Sequence, residues 1–391
     1  MKLVFLALLA PAAAVRFGAD GHGVFQAAGD PDHVLGADGH GLQNPVCCSQ
    51  SAESGCSTLH PCLETPDKAE SPGDVVKAFL SWIERFGKEY ATVEEFAHRL
   101  AVFAANARLV WEHDAEVEGY SLSTDSPFAD ISAAEFAKRN TLFPKSKHVS
   151  AGSTHAVRFE APPLKMDWRD SNAVTPVKDQ GSCGSCWTFS TVVSIEGAHA
   201  RKTGKLVSLS EQSLVDCVKQ DDIDGTGDCC DGCNGGLMDN AFDFVINKQK
   251  GGIDTEEAYK YTGRDGACKF DANSVGATIT NWTDVTAGDE SALMDAIAHA
   301  GPVSVALDAS KQWQMYSGGV MKPRSVFGCS ADGGKADHGV AVVGYGTEDG
   351  ADYWVVKNSW GPGWGEGGYM RLAKGVNACG VANFASYPIS A

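Results

Sequence analysis

Two cysteines, Cys183 and Cys186, stand three positions apart in the segment QGSCGSCWTFS, residues 180–190. A Cys-x-x-Cys pair can serve as a redox couple or as half of a four-cysteine zinc site. It can also consist of one bridged cysteine beside one reactive cysteine. The spacing fits all three chemistries, so the neighbouring segments have to distinguish them.

The redox and zinc interpretations have weak support from the rest of the chain. A thioredoxin-like pair needs a preceding βαβ unit, whereas the segment ahead of Cys183, DWRDSNAVTPVKDQG, resembles a loop. A zinc site could combine Cys183 and Cys186 with Cys230 and Cys233 of the CCDGC segment. In a secreted chain, disulfides are the commoner fate of such thiols. Zinc therefore remains open as the weaker alternative.

The third interpretation makes Cys186 a nucleophile at the start of a helix predicted over residues 186–201. The dipole and free N–H groups of a helix N-terminus stabilise a thiolate, which is the reactive species. Such a nucleophile needs a base to take its proton and a group that orients the base.

Three histidines in the C-terminal part of the chain are candidates for that base. His199 falls too late on its helix to reach the cysteine, and His299 ends a helix candidate, where a histidine typically interacts with the C-terminus. His338 precedes an apolar strand, and Asn358 follows another strand in VVKNSWG. Asn358 could hold the His338 ring in one tautomer, with Trp360 shielding that hydrogen bond from water.

Periodicity indicates the elements that must position these residues. Two amphipathic helices are predicted over residues 74–86 and 92–117, and residues 138–161 are predicted to be an exposed connector. Further helices are predicted at 186–201, 238–249 and 290–300, and strands at VSVALDA, HGVAVVGYG, DYWVVKNSW and GYMRLAK. A helical half followed by a β-rich half predicts an α+β fold with two lobes and a cleft between them.

Charge and the N-terminus restrict the class of protein. The 391 residues have a formal net charge of −18, which disfavours nucleic acid or anionic membrane as general partners. Residues 1–14 have the basic start, apolar centre and small-residue end of a secretory signal peptide, and no later run predicts a membrane span. The 13 cysteines are an odd number, so an oxidising compartment leaves at least one free or bonded to another chain.

Residues 15–73 form a low-complexity extension that contains four cysteines. GADGHG occurs twice there and large apolar residues are sparse, which predicts disorder. Its histidines could bind metal, although a solvated linker is the commoner meaning of such composition. Cys47, Cys48, Cys56 and Cys62 could close two disulfides in any of three pairings. Further along, a sequon at Asn281 predicts glycosylation on a surface loop.

Residues 162–391 resemble the papain family of cysteine proteases, and within it the cathepsin L-like branch. Matching segments occur in order and spacing: PVKDQGSCGSCWTFS, LSEQSLVDC, GCNGGLMDNAF, DHGVAVVGYG, YWVVKNSWGPGWGEGGYMRL and CGVANFASYP. The Cys-Gly-Ser-Cys-Trp run is a local signature of that family. The resemblance implies a papain-like fold in which a helical lobe and a β-barrel-like lobe flank the active-site cleft.

Residues 74–161 resemble the inhibitory propeptide of the same family. The match to its ERFNIN pattern comprises Glu95, Arg99, Phe103 and Asn106, with Val110 and Asp114 in place of Ile and Asn. SPFADISAAEF resembles the next propeptide motif, with Ser126 where Asn is usual. The resemblance implies a zymogen. Because its helices carry carboxylates among arginines, we expect acid to release the propeptide, with Glu95 as part of the trigger.

The resemblance also implies a role for each catalytic residue. Cys186 would be the nucleophile, His338 its base and Asn358 the residue that orients the base. Gln180, with the backbone N–H of Cys186, would hold the oxyanion. The implied disulfides are Cys183–Cys233, Cys217–Cys268 and Cys329–Cys379, which leave Cys229 and Cys230 to pair with each other or to rearrange the first bridge. No metal or organic cofactor is implied.

The implied pocket for the second substrate residue is apolar. Its lining positions carry Leu237, Met238, Ala306, Ala336 and Phe384, while Gly235 and Gly236 present backbone and Asp337 and Trp360 lie in the same cleft. Without a Glu at the base to pair with Arg, the pocket predicts a preference for Leu, Val or Phe, with bulky Phe384 excluding the largest side chains.

The implied partners are protein and peptide substrates, the chain's own propeptide and cystatin-like inhibitors. The expected form is a monomer in the secretory pathway, delivered to a lysosome or vacuole or secreted. A papain-like ligase and a catalytically silent binding protein are the alternatives. The complete catalytic set disfavours the silent protein.

Overall fold

A computed structural model describes residues 16–17, 23–24, 72–142, 153–158, 160–219, 229–309, 311–323 and 329–391. The chain divides into two compact units, Met1–Asp74 and Val75–Ala391. In the first unit, strand β1 (Arg16–Phe17) pairs antiparallel with β2 (Gly23–Val24). The signal peptide, nearly all of residues 15–73 and the four cysteines of that extension lie outside the described residues.

The N-terminal part of the second unit is mainly helical. It contains helix α1 (Pro72–Phe86) from Val75 onward, helices α2 (Val93–Trp111) and α3 (Ala115–Glu118), strand β3 (Tyr120–Leu122) and helix α4 (Ala133–Ala137). The prediction of one helix over residues 92–117 was wrong. Asp114 ends that run because its carboxylate accepts hydrogen bonds from the N–H groups of Glu116 and Val117, and so begins a separate short helix.

An aromatic core holds α1 against α2. The ring of Phe103 lies 5.1 Å from that of Phe79 and 5.6 Å from that of Trp82, and all three are buried. Asn106, also buried, donates hydrogen bonds to the carbonyls of Ala129 and Ile131. The ERFNIN positions therefore join α2 both to α1 and to the segment that leads into α4.

Five α-helices of the described residues follow residue 162, and the first of them is buried along most of its length. They are α5 (Cys186–Thr203), α6 (Glu211–Cys217), α7 (Met238–Asn247), α8 (Glu290–Ala300) and α9 (Lys311–Met315). The helix predicted at residues 290–300 is observed with those bounds, and those predicted at 186–201 and 238–249 differ from α5 and α7 only at their C-termini.

Ten strands of the described residues form one sheet in the order β3-β8-β11-β10-β9-β7-β12-β6-β5, with β4 added beside β9. Their bounds are β4 (Met166–Asp167), β5 (Gly252–Asp254), β6 (Val275–Asp284), β7 (Val303–Leu307), β8 (Tyr316–Met321), β9 (His338–Glu348), β10 (Ala351–Lys357), β11 (Tyr369–Ala373) and β12 (Phe384–Ser390). The predicted α+β class is confirmed. Asn281 lies within β6, on an exposed position, and not in the predicted loop.

The sheet and α5 together position the predicted catalytic residues. Strands β9 and β10 are antiparallel neighbours, with Lys357 opposite Ala341, so the first residue of β9 lies beside the residues that follow β10. The hydroxyl of Ser190 on α5 donates to the Val340 carbonyl of β9 at 2.7 Å. The start of α5, the start of β9 and the end of β10 therefore meet in one place.

Candidate active site

Cys186 is the first residue of α5, and its thiol is buried. The preceding residue, Ser185, makes no side-chain hydrogen bond to the helix end. Cys186 is the free cysteine of the described residues, because the other cysteines described there are disulfide-bonded. A free thiol at a helix N-terminus is the arrangement that stabilises a thiolate once the charge can form.

A disulfide next to this thiol fixes the loop that contains Gly235 and Gly236. The structure joins Cys183 to Cys233, Cys217 to Cys268, Cys329 to Cys379 and Cys229 to Cys230. The first of these ties the residues ahead of α5 to the loop that contains Gly235 and Gly236. The backbone N–H of Gly184 also donates to the Cys233 carbonyl at 2.8 Å.

His338 is the first residue of β9, and Asn358 follows β10. The Nε2 atom of His338 lies 2.8 Å from the Asn358 Oδ1, while its Nδ1 is buried with no hydrogen-bond partner among the described residues. Because the Asn358 oxygen accepts, it places the imidazole proton on Nε2. Trp360 stacks on the ring, with centroids 4.6 Å apart, and covers this hydrogen bond.

Both reacting groups are uncharged in this form of the protein. Burial raises the pKa of the Cys186 thiol to about 11, against hydrogen bonds with the backbone of Gly339 and Thr141 that lower it. Burial likewise lowers the pKa of His338 to about 4, although its hydrogen bond with Asn358 favours the charged form. At neutral pH the site therefore holds a thiol and a neutral imidazole, because the covered cleft excludes the water that would stabilise an ion pair.

Gln180 is buried beside them. Its Oε1 accepts from the hydroxyl of Ser359 at 2.7 Å, and its Nε2 donates to the carbonyls of Cys183 and Arg139, each at 3.0 Å. Ser359 and the Cys183 carbonyl fix the amide so that Nε2 also donates to the Arg139 carbonyl of the segment bound in the cleft. This is the geometry that an oxyanion donor needs.

Residues 139–142, between α4 and the peptidase domain, occupy the cleft. The Thr141 carbonyl lies 4.0 Å from the Cys186 Sγ, the Thr141 hydroxyl donates to the Gly184 carbonyl at 3.1 Å, and Leu142 forms a parallel β-bridge with Gly236. The prediction of an exposed connector over 138–161 was wrong here, because an extended segment bound to another surface shows no periodicity of its own.

The loop of Gly235 and Gly236 approaches both the segment in the cleft and the start of α5. A Cβ on Gly235 would lie 2.8 Å from the Thr141 carbonyl oxygen, and one on Gly236 would lie 2.5 Å from the Trp187 ring. Gly235 also has a φ of 120°, in the region that glycine tolerates. Only glycine lets the backbone lie this close to a bound chain.

The predicted pocket residues lie in one apolar cluster. Leu237, Met238 and Ala306 are buried in it, and Ala336 and Phe384 pack against it. Ala306 and Phe384 face each other across β7 and β12. Leu142 from the segment in the cleft packs against the same cluster. The structure therefore places a leucine side chain against the apolar cluster to which these predicted residues belong.

Asp337 lies between the pocket and His338. Its carboxylate accepts from the Ala309 N–H at 2.8 Å, and burial raises its pKa to about 7. Trp313, which the sequence did not single out, presents its edge to the His338 ring at 6.3 Å and donates nothing to it. Trp313 contacts His338 and Ser359 bonds to Gln180, and neither contact could be predicted from the sequence because the residues meet only in the folded chain.

The N-terminal helical part also covers Trp360 directly. Phe128 and Phe136 meet the indole edge-to-face at 5.5 and 5.0 Å. Gln314 on α9 donates to the carbonyls of Phe128 and Ile131, which fixes this segment to the sheet side of the cleft. A lid of residues 72–142 thus shields the tryptophan, the histidine beneath it and the thiol.

Within the described residues, no cluster of three or more histidine, cysteine, aspartate or glutamate side chains is arranged to bind a metal ion. Nor does any described helix have the length and apolar character that crossing a membrane requires.

Comparison with known proteins matches two family models to this chain. The family model "Papain family cysteine protease" matches residues 162–389, and "Cathepsin propeptide inhibitor domain (I29)" matches residues 79–136. A cathepsin L-like peptidase of Aedes aegypti is 45% identical over 320 residues, which cover 77% of this chain and 89% of the relative. The thiol protease aleurain of Arabidopsis thaliana is 40% identical, with 81% and 85% of the two chains covered.

The structural comparison includes the prodomain. The digestive procathepsin L 3 of the Tenebrio molitor larval midgut superimposes with a TM-score of 0.71 at 38% identity, covering 80% of this chain and 98% of that one. Three findings agree. The fold is that of a procathepsin L, the papain-family model matches residues 162–389, and the inhibitor-domain model matches residues 79–136. This chain belongs to the papain family of cysteine proteases, and it is a zymogen that carries the family's inhibitory prodomain.

Proposed function

We propose that Cys186, His338, Asn358 and Gln180 are the catalytic machinery of this cysteine endopeptidase. The observation that carries the proposal is the state of His338. Its Nε2 is held by Asn358 while its Nδ1 is buried and unpartnered among the described residues, next to a backbone that contacts the free thiol. That nitrogen is available to take the thiol proton.

The reaction follows from these positions. The Cys186 proton passes to His338 Nδ1, and the thiolate sulfur attacks the peptide carbonyl carbon. The oxyanion accepts hydrogen bonds from Gln180 Nε2 and from the Cys186 N–H; one such donor lowers the barrier by about 3–4 kcal/mol. His338 then protonates the leaving amine. Water, losing a proton to His338, hydrolyses the thioester and frees the sulfur.

The segment of residues 139–142 inhibits by occupying these same groups. The Arg139 carbonyl takes the Gln180 amide proton that an oxyanion would take. Leu142 also forms a parallel β-bridge with Gly236, so the segment occupies the glycine backbone that we assign to substrate binding. We propose that release of this segment from the cleft at acid pH lets water and substrate in, which allows the thiolate–imidazolium pair to form.

The pocket next to Gly236 accepts an apolar second residue. Leu142 of the prodomain packs against the same cluster as Ala336 and Phe384, which supports leucine as a well-matched side chain. None of the five residues assigned to the lining of this pocket carries a carboxylate that could pair with arginine. We expect Leu, Val or Phe to be preferred at this substrate position, with Trp and Arg disfavoured.

Hydrolysis of a fluorogenic dipeptide with Leu or Phe at the second position tests the chemistry. Zymogen held at about pH 4.5 should gain activity that zymogen held at about pH 7 lacks, and Cys186→Ala should gain none. The matched control is Ser182→Ala, next to the bridged Cys183 and on the same loop. Equal activity in Cys186→Ala and wild type would exclude Cys186 as the nucleophile.

A peptide library that varies the second position tests the pocket. Phe384→Glu places a carboxylate at its base and should shift the preference towards Arg, while wild type favours Leu, Val or Phe. A wild-type profile dominated by Arg or Pro would contradict the assignment of this pocket.

The remaining proposals concern the whole protein. We propose the division into a signal peptide (1–14), an extension (15–73), an inhibitory prodomain (74–161) and a peptidase domain (162–391). We also propose a glycosylated monomer in the secretory pathway, stored in a lysosome or vacuole or secreted, and inhibited by cystatin-like proteins. The exposed position of Asn281 supports glycosylation there. The names of relatives of this chain, among them digestive cysteine proteinases of Homarus americanus, support the proposed secretory route.

A further inference from the structure

Residues 153–158 precede the proposed start of the peptidase domain, yet they bond to it. The described backbone of Thr154 forms a parallel bridge with Asp284 at the end of β6. The His155 N–H donates to the Asp284 carbonyl at 2.7 Å, and the Asp284 N–H donates to the Ser153 carbonyl at 3.2 Å. The segment therefore extends the sheet of the peptidase domain.

The side chain of His155 is buried in the same domain, with 5% of its surface exposed. Its Nε2 lies 2.7 Å from the Asp295 Oδ1, and its Nδ1 lies 2.8 Å from the Tyr387 hydroxyl. A carboxylate only accepts, so Nε2 is the donor, and a neutral ring then accepts from Tyr387. One imidazole tautomer satisfies both contacts.

Asp295 depends on this segment. It lies on α8 with 1% of its side chain exposed. Besides His155, both its oxygens accept from the Arg158 N–H at 3.3 Å, and His299 lies 3.6 Å away. Without residues 153–158, the carboxylate would keep only the distant contact with His299 among these. A buried carboxylate without donors is strongly unfavourable.

Residues 139–142 and residues 153–158 thus have opposite requirements. The first segment blocks the cleft and has to leave for activity, whereas the second completes the peptidase fold. We propose that residues 153–158 stay covalently attached to the mature enzyme, so that activation hydrolyses a peptide bond on the N-terminal side of Ser153 and not at the domain boundary near residue 162. This proposal rests on the zymogen mechanism above.

The N-terminus of the activated enzyme tests the proposal directly. The full chain is incubated at acid pH, the large product is separated from released peptides, and its N-terminus is read by sequencing and intact mass. We expect the first residue to be Ser153 or one before it. A first residue after Ser153 overturns the proposal. The mass of the product is measured whether or not the product hydrolyses the dipeptide. The N-terminus therefore tests the cleavage site, and dipeptide hydrolysis tests the catalytic residues, independently of each other.

Stability of the mature enzyme gives a second test. The mature enzyme is alkylated at Cys186 to stop autolysis, and its thermal unfolding rate is compared with that of the zymogen held at about pH 7. His155→Ala should unfold about tenfold faster in both forms, because it leaves a buried carboxylate short of a donor. His155→Gln keeps a donor and an acceptor, so its unfolding rate should be close to that of the wild type.

Val157→Ala is the matched control, since Val157 is on the same segment and 56% exposed. It should unfold at the wild-type rate in both forms. If His155→Ala destabilises the zymogen but leaves the mature enzyme unchanged, residues 153–158 have been shed and the proposal is wrong. Should His155→Ala fail to fold, the wild-type N-terminus still decides.

Discussion

At the scale of single residues, the zymogen keeps the proposed nucleophile Cys186 both covered and uncharged. Burial raises the pKa of Cys186 to about 11 and lowers that of His338 to about 4, so neither group is charged at neutral pH. Because thiolates are the species that react with electrophiles, the zymogen should be inert towards reagents small enough to enter the cleft.

The rate of alkylation by iodoacetamide measures the reactivity of the Cys186 thiol. At about pH 6 we expect Cys186 in the zymogen to react at least about 100-fold more slowly than in the activated enzyme, because a thiol pKa near 11 leaves almost no thiolate. Rates are read from mass spectra of the peptide that contains Cys186. Cys186→Ala reports labelling at other cysteines. Equal rates in zymogen and activated enzyme would show that the covered thiol is already ionised.

At the scale of elements, the sequence predicted those whose ends carry local signals. Helix α8 has the predicted bounds because the Asp289 carboxylate caps its first N–H groups and Gly301 ends it. The arrangement of His338 and Asn358 was also predictable, since each borders an apolar strand. Residues 139–142 could not be placed, because their extended conformation depends on contacts with Gln180 and Gly236 that are distant in sequence.

Helix α4 connects the prodomain to the active site. Ser132 and Glu135 form a capping box at its start, and Phe136 projects onto Trp360 with ring centroids 5.0 Å apart. The Phe136 ring is buried, so its contact with Trp360 removes apolar surface from water where the lid meets the cleft.

Removing that ring should loosen the lid. Phe136→Ala deletes a buried aromatic side chain, a change that typically costs about 3–5 kcal/mol. We expect the zymogen variant to gain dipeptide-hydrolysing activity faster than wild type at the same mildly acid pH. Leu80→Ala on α1, where Leu80 is 49% exposed, should activate at the wild-type rate. Activation of Phe136→Ala at that same rate would mean that Phe136 does not hold the prodomain in place.

At the scale of the whole molecule, activation depends on carboxylates that hold the prodomain together at neutral pH. The sequence pointed to Glu95, but its carboxylate accepts from the Ala91 N–H, and Arg99 pairs with Glu135 at 2.8 Å instead. Arg99 also donates to the Asp130 carbonyl, so this pair joins α2 to the segment that covers the active site.

The pH dependence of this pair has a definite sign. Burial raises the pKa of Glu135, but hydrogen bonds from Ser132 and Arg99 outweigh it and leave the pKa below its ordinary value of 4.5. A carboxyl with a depressed folded pKa stabilises the folded state above its unfolded pKa, and that contribution is lost as the pH falls through the folded pKa. Acid below about pH 4.5 therefore weakens the prodomain at this point.

Glu135→Gln removes the charge while an amide oxygen can still accept from Ser132. The variant lacks the Arg99–Glu135 attraction at every pH, so its zymogen should activate at a higher pH than wild type. The Glu135 side chain is 34% exposed, and solvent screening limits the expected shift to about 0.2–0.5 pH unit. The measurement is the rate of activation across a pH series. Glu94→Gln, an exposed carboxylate on the first turn of α2, is the control and should match wild type. Coincident profiles for all three zymogens would place the acid trigger outside this pair.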